Sequence, residues 1–420
     1  MAILQSVFAR ELPGGLVLRP AGPADLDQIA ALLASRGEPA DAVDHRLVVN
    51  DPAAGFETCA VVVDGDRVVS TATLLDEELE LSTTGMDDPV RLPAGQVELV
   101  ATDVEYEGRG LVRELMHWAH QLSASRGHVV QVMIGIPYFY RQFGYSYAID
   151  IARRRPLTAV PDDGRLAAHE VRPATAADLS DVARLQRSAQ NASSLRMPHS
   201  PPRWRWLIEH DGSTTWVVVR SGAVVATGRT TPPEHGVLLC ELAASDHEAA
   251  FALVAHAHRL AHSVPDAREL RIAERPATVV DDLVRDLTGP PASQADQYYV
   301  RVPDHAALFD LLRPVLDARL ARAGVEAPEE VVVSTFRRHL RLPVVGGRFG
   351  SPIVGGPMQA PGSVGGAGVA PDQIGPLLFG PHGIVGLSER HPDVYPGRHA
   401  DLMAALFPPV SSDLLTFYVP

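Results

Sequence analysis

The chain has 420 residues, more than one ordinary domain uses and suited to about two or three. Its 46% hydrophobic content supports large cores and excludes global disorder. A net charge of −14 argues against non-specific binding to nucleic acid or to an anionic membrane, and favours cationic partners.

The opening stretch Met1 to Glu11 has no basic region followed by a long apolar core, and no apolar run is long enough to span a bilayer, so a cytoplasmic location is the expectation. The stretch from Leu18 to Leu32 reads as a short strand, a turn and an amphipathic helix entered near Asp25. The same pattern returns from Val171 to Leu185, entered near Asp178, and points to two related folding units. Between them, an apolar strand from Val97 runs into the turn Gly108-Arg109-Gly110, and the turn opens a helix. That arrangement aims backbone N–H groups at one point, where a diphosphate is the natural ligand. The turn lacks the third glycine of a dinucleotide fingerprint and the Gly-Lys-Ser/Thr of a P-loop.

In the second unit a strand at Val237 to Ala243 is followed by a helix from Glu248 to His262. Its turn, Ser245 to Ala250, has no glycine and two acids, which would repel a diphosphate. Linkers are expected at 156–170 and 289–296, both rich in turn formers. Beyond them, 306–322 carries a helical apolar stripe that Pro314 should kink or split. Strands are expected at 331–336 and 339–345, a loop or a pair of irregular hairpins in the Gly/Pro-rich stretch 346–368, and a terminal strand from Leu414. Cys59 and Cys240 form neither a disulfide framework nor a zinc pattern.

Two linked motifs resemble the GNAT superfamily of N-acetyltransferases. Its loop pattern, Arg/Gln-x-x-Gly-x-Gly/Ala after a strand, falls on Glu107 to Val112, and its Tyr-x-x-Phe-Gly-Tyr/Phe segment on Tyr140 to Tyr145. The whole chain resembles the Eis-like (enhanced intracellular survival) branch. That resemblance implies an α+β fold of two tandem GNAT-like mixed-sheet domains plus a C-terminal sterol carrier protein-like α/β domain. The corresponding boundaries are 1–155 for the acetyl-CoA-binding domain, 156–298 for a degenerate GNAT-like domain and 299–420 for the last. It implies transfer of an acetyl group from acetyl-CoA, as co-substrate and without a metal, to a primary amine. The acceptor would be an aminoglycoside or other amine-bearing antibiotic, a polyamine or a lysine. A homo-oligomer, a hexamer in the family, is implied, with no nucleic-acid or membrane partner. Two rival readings stand beside it: a biosynthetic acyltransferase using another acyl-CoA or acceptor, and a non-catalytic CoA- or lipid-binding protein.

By the same resemblance, Val100, Ala101 and Thr102 would bind the pantetheine arm through their backbone. The turn residues Gly108, Arg109, Gly110, Leu111, Val112 and Arg113 would hold the pyrophosphate, with Gly135 and Ile136 also on the cofactor side. Glu107 departs from the usual Arg or Gln, and must turn outward to an arginine or weaken CoA binding. Tyr140 matches the general acid, a phenol protonated at neutral pH, the alternative being a packing role in its aromatic cluster. Tyr145 reads as structural. The carboxylate of Pro420 matches the general base, although the family's usual ending is aromatic. His256, His258 and His262 on one helix read as surface residues rather than a metal site, His117 and His120 as either helix-surface residues or part of a pocket rim, and Trp204 and Trp206 as structural rather than lining a substrate cleft.

Overall fold

A computed structural model describes residues 9–37, 39–51, 54–159, 168–209, 212–233, 236–264, 269–291, 296–325 and 328–415. It is a mixed α/β fold with several mixed sheets, in two interleaved compact units. The first comprises the described residues of Met1–Arg36, Phe56–Asp150 and Gln297–Ser412, the second those of Gly37–Gly55, Ile151–Asp296 and Asp413–Pro420. The boundaries expected from sequence are contiguous, whereas each compact unit is assembled from three segments.

The first unit opens with β1 (Arg10–Leu12), β2 (Leu16–Pro20) and helix α1 (Leu26–Arg36). Asp25 fastens the entry to α1, accepting two bonds of 2.7 Å from the Arg19 guanidinium and one of 2.8 Å from the Gly22 amide. The strands β3 (Cys59–Asp64), β4 (Arg67–Leu81) and β5 (Val90–Thr102) follow. Then come α2 (Leu111–Ser125), β6 (Val130–Met133) and β7 (Ser146–Asp150). Helix α2 buries Leu111, Leu115, Met116, Trp118, Ala119 and Leu122, a stripe at helical spacing, in one core with Leu74 of β4 and Val97 of β5.

The second unit repeats the plan. Its strands are β8 (Arg154–Pro156), β9 (His169–Pro173), β10 (Leu195–Met197), β11 (Thr214–Arg220), β12 (Ala223–Thr230), β13 (Val237–Ala244) and β14 (Leu270–Ala273). Its main helices are α3 (Leu179–Gln190) and α4 (His247–Ala261). Six strands form one sheet in the order β8-β14-β13-β12-β11-β9. Arg172 grips Asp178 at 2.7 and 2.8 Å as Arg19 grips Asp25, so the repeated sequence encodes one repeated clamp. The bulge of the third long strand also recurs. Leu99 on β5 has φ 54° and Glu241 on β13 has φ 57°, a region L side chains rarely occupy.

The remaining segment of the first unit begins with β15 (Gln297–Arg301), which is inserted antiparallel between β6 and β7: Val300 faces Val132 on one side and Ser146 on the other. The path of that sheet is therefore β1-β2-β3-β4-β5-β6-β15-β7. The expected helix is split into His305–Leu311 and Arg313–Arg322, with Pro314 in the first turn of the second, where a missing N–H is harmless. A further sheet is built from β16 (Glu330–Ser334), β17 (His339–Val345), β18 (Arg348–Phe349), β19 (Ile353–Gly355), β20 (Ala367–Val369) and β21 (Val394–Tyr395), in the order β18-β17-β16-β20-β21 with β19 on β17. Of the loop and hairpin alternatives for 346–368, the hairpins hold in part: β18 and β19 both pair antiparallel with β17, and β20 begins at Ala367. Helices Ile374–Phe379, Gly383–Ser388 and Ala400–Leu406 complete the segment. Residues 160–167 and 292–295 of the expected linkers lie outside the described residues, as does Pro420. The described residues contain no helix long and apolar enough to cross a membrane.

Candidate active site

The site is set by where β5 stops pairing. Parallel β6 accompanies β5 only from Ala94–Val130 to Gln96–Val132, after which β5 runs on to Thr102 and β6 ends at Met133. The bulge against β4 falls in the same stretch, between the pairs Thr71–Ala101 and Thr73–Glu98, and carries the left-handed Leu99. Backbone groups of Leu99 and Val100 are thereby turned out of the regular ladder. Ala101 and Thr102 remain tied to β4, where the Ser70 hydroxyl reaches the Ala101 carbonyl at 2.9 Å and the Thr102 hydroxyl at 2.7 Å.

Beyond β5, Asp103 caps a single 3₁₀ turn, accepting from the Glu105 amide at 2.9 Å, and the chain then reaches Gly108 and Gly110. Both glycines have positive φ, 74° and 79°, and a Cβ on either would meet no atom within 4 Å. Gly110 is the N-cap of α2 and no side chain caps that helix, so the first-turn amides of Leu111, Val112 and Arg113 open onto free space. This arrangement fits a diphosphate: converging donors, the positive end of the helix dipole and no Cβ in the approach. The two arginines differ. Arg109 folds back, donating to the Glu105 carbonyl at 3.0 Å and lying 4.4 Å over the Tyr106 ring. Arg113 is exposed on the first turn of α2. Glu107 turns outward into an ion pair with Arg36 of α1, so its carboxylate is partnered and not left facing the turn.

The aromatic segment packs into the same core as β5. Tyr140 sits in a 3₁₀ turn, Phe139–Phe143, with 7% exposure. Its ring meets Phe139 edge-on at 5.1 Å and Tyr299 at 5.8 Å. Burial first, then the charges of Glu98 and Tyr299, raise the Tyr140 phenol above its ordinary value, which keeps it protonated through the neutral range. Tyr299 is stacked on Tyr147 at 4.1 Å and donates to its hydroxyl at 2.7 Å. Glu98, buried on β5, accepts from the Gln96 side chain at 2.6 Å. Tyr145 is 1% exposed, its hydroxyl 3.2 Å from His120 Nε2 and 3.3 Å from Gln131 Oε1, which gives it a packing role. Burial and the nearby Arg301 and His117 pull His120 down to about 3, so it is neutral at physiological pH.

Gly135 and Ile136 lie between β6 and this segment. Ile136 is 62% exposed, and its carbonyl accepts from the Tyr299 hydroxyl at 3.2 Å. A Cβ on Gly135 would come within 2.4 Å of Tyr140 Cε2. Gly135→Ala must therefore move the Tyr140 ring. Moving that ring tests whether it takes part in the reaction, since misplacing a reacting group by an ångström costs on the order of a hundredfold in rate. The expected result is a fall in kcat of about that size together with a stability loss of about 1–3 kcal/mol from crowding the buried ring, checked by steady-state kinetics and a melting curve.

The remaining sequence candidates fall elsewhere. His258 and His262 pack ring against ring at 4.3 Å, and His256 against Trp216 at 4.2 Å. Among the described residues no group of three His, Cys, Asp or Glu side chains is placed to hold a metal. Trp204 is buried against His199, and Arg203 lies over Trp206. His117 is exposed beside Glu114. Sequence reasoning missed Tyr299, whose signal was the apolar, aromatic run Tyr298-Tyr299-Val300, and the pairing of Gln96 with Glu98.

Residues 18–148 match the family model described as an acetyltransferase (GNAT) domain. The matched stretch is about a third of the chain and holds Val100 to Thr102, the Gly108–Gly110 turn and Tyr140. No curated protein matches the chain. Among solved structures, the chain is similar to a GCN5-related N-acetyltransferase from Kribbella flavida, at 18% identity and TM-score 0.62, over 98% of this chain and 100% of that one. It is similar to a GCN5-related N-acetyltransferase from Anabaena variabilis at 14% identity and TM-score 0.67, over 95% and 99% of the two chains. It is also similar to Eis1 from Mycobacterium abscessus at 18% identity and TM-score 0.59, over 94% and 98%. At such identities the likeness is one of fold.

Proposed function

We propose that the chain is an Eis-like N-acetyltransferase that moves an acetyl group from acetyl-CoA to a primary amine. The observation that carries this reading is the open edge of β5 ending in Gly108 and Gly110 at an uncapped helix start, with the buried phenol of Tyr140 in the same core as Val97 of β5. Acetyl-CoA supplies the activated acyl group. The chain's part is to hold the pyrophosphate at the amides of Gly108 to Arg113, line the pantetheine arm with Val100, Ala101 and Thr102, and manage two protons. The attacking amine must lose one and the departing thiolate must gain one. Tyr140 is suited to the second task, being protonated and buried.

Two groups compete for the first: the carboxylate of Pro420, which the family resemblance implies, and Glu98. Adding one residue after Pro420 separates them. Loss of about a hundredfold or more in kcat, with unchanged circular dichroism, supports the terminal carboxylate. Full activity in the extended chain moves the role to Glu98, and Glu98→Gln then becomes the inactive variant. The degenerate character of the second unit, the sterol-carrier likeness of residues 299–420, a homo-oligomeric state and a cationic acceptor belong to the same reading. The acceptor class is supported only by the acidic charge of the chain, −14. Release of free CoA from acetyl-CoA across a panel of aminoglycosides, polyamines and lysyl peptides is the direct test. No release with any amine, but tight CoA binding, would favour a non-catalytic CoA-binding protein.

A further inference from the structure

Away from the pyrophosphate turn, the first unit encloses a cavity of about 430 Å³, within the size range of small-molecule sites. One wall is the end of the aromatic segment and β7; the other is the loop-and-helix run 372–391 of the C-terminal segment. The walls are joined by the Ser146 hydroxyl, which donates to the Asp372 carbonyl at 2.5 Å. The floor is apolar, with Ala148, Pro376 and Leu387. The charged lining is one-sided: Arg141 and Arg390 with the imidazoles of His382 and His391, against the single carboxylate of Asp372. In a chain of net charge −14, such a concentration of cationic and N–H-donating side chains is an outlier.

We infer that this cavity binds a small organic anion bearing phosphate or carboxylate groups. Guanidinium groups present forked N–H donors that match both oxyanions, and imidazoles add further donors. The concave, partly apolar floor adds a surface for the organic part of such an anion. Arg390 engages its own neighbourhood through one nitrogen, Nη1, which serves both the Gly386 carbonyl and the ion pair with Glu389. Arg141 lies 5.5 and 5.6 Å from the Tyr138 and Tyr147 rings, and Arg390 donates to the Gly386 carbonyl at 2.7 Å, with Glu389 only at 3.6 Å. Their remaining N–H groups are available to a ligand. Tyr147 belongs both to this lining and to the stack on Tyr299, so an occupant would touch the scaffold of Tyr140.

Titration calorimetry of the full chain with inorganic phosphate and with citrate, at ionic strength fixed by sodium chloride, tests this. The expected result is one saturable site per chain for at least one probe, weakened about tenfold in Arg390→Gln and in Arg141→Gln and unchanged in Gly110→Val. Binding of phosphate alone would assign a phosphorylated ligand, and binding of citrate alone a carboxylate. Both arginines are solvent-exposed, so their substitution leaves the fold intact, which thermal melts verify. Absence of saturable binding by both probes would overturn the inference. So would binding that persists in both arginine variants, or that is lost in Gly110→Val and kept in Arg390→Gln.

Discussion

Replacing Tyr140 by Phe is expected to lower kcat about a hundredfold or more while leaving the KM for acetyl-CoA within about twofold. The substitution removes one oxygen and keeps the ring that packs against Phe139 and Tyr299, so the scaffold survives. What is lost is a proton donor needed only as negative charge builds on the departing sulfur, which separates kcat from KM. Burial and the charge of Glu98 raise the phenol's pKa, so it stays protonated as pH rises through neutrality. The wild-type rate should accordingly show no alkaline decline from this residue below about pH 9, starting from an ordinary phenol near 10. Equal kcat in the wild type and Tyr140→Phe would remove the tyrosine from the chemistry and leave it as packing.

How much of this was legible in the sequence depends on how local each signal is. The clamp Arg19–Asp25 and its copy Arg172–Asp178 span six residues, so the repeat could be read directly. The glycine turn and the Pro314 break are similarly short-range, because φ restrictions act on one residue at a time. The outward turn of Glu107 toward an arginine was one of two expected outcomes, but its partner Arg36 is fixed only by the packing of α1. The insertion of β15 between β6 and β7 was not legible. A run such as Gln297 to Arg301 announces a strand, but nothing in its pattern names a partner some 150 residues earlier. Tyr299 was missed for that reason: it enters the candidate site only through that pairing. In the second unit the buried Arg229 pairs with Glu241 at 2.8 Å on the neighbouring antiparallel strand, a contact set by the strand irregularity rather than by sequence pattern. Its strand reads as an ordinary half-polar strand until the bulge at Glu241 turns that carboxylate onto the guanidinium.

Gly110→Val is expected to weaken CoA binding about tenfold or more, a loss of at least ~1.4 kcal/mol, by placing a branched side chain in the open space before α2. The variant also forces an L side chain into a left-handed conformation, which costs roughly 1–2 kcal/mol of stability by itself. Gly15→Val supplies the control, since Gly15 has φ 78° and equally open surroundings in the turn between β1 and β2. Calorimetry should find normal CoA affinity in Gly15→Val and weak binding in Gly110→Val, with similar losses in melting temperature. Comparable affinity in both variants would sink the assignment of the pyrophosphate to this turn. The wild-type stoichiometry is expected to be one CoA per chain, for a reason visible at the start of α4. There the N-cap is Asp246, whose carboxylate accepts from the Ala249 amide at 2.9 Å and from Arg220 at 2.6 Å. Hydrogen bonding to Arg220 is the main cause that holds this carboxyl down to about 2, so it is charged at every relevant pH. The helix start that α2 leaves open to an anion is thus filled by the chain's own anion in α4, with Glu248 two residues further on. Two CoA molecules per chain would show that the second unit had kept a binding mode that this carboxylate should block.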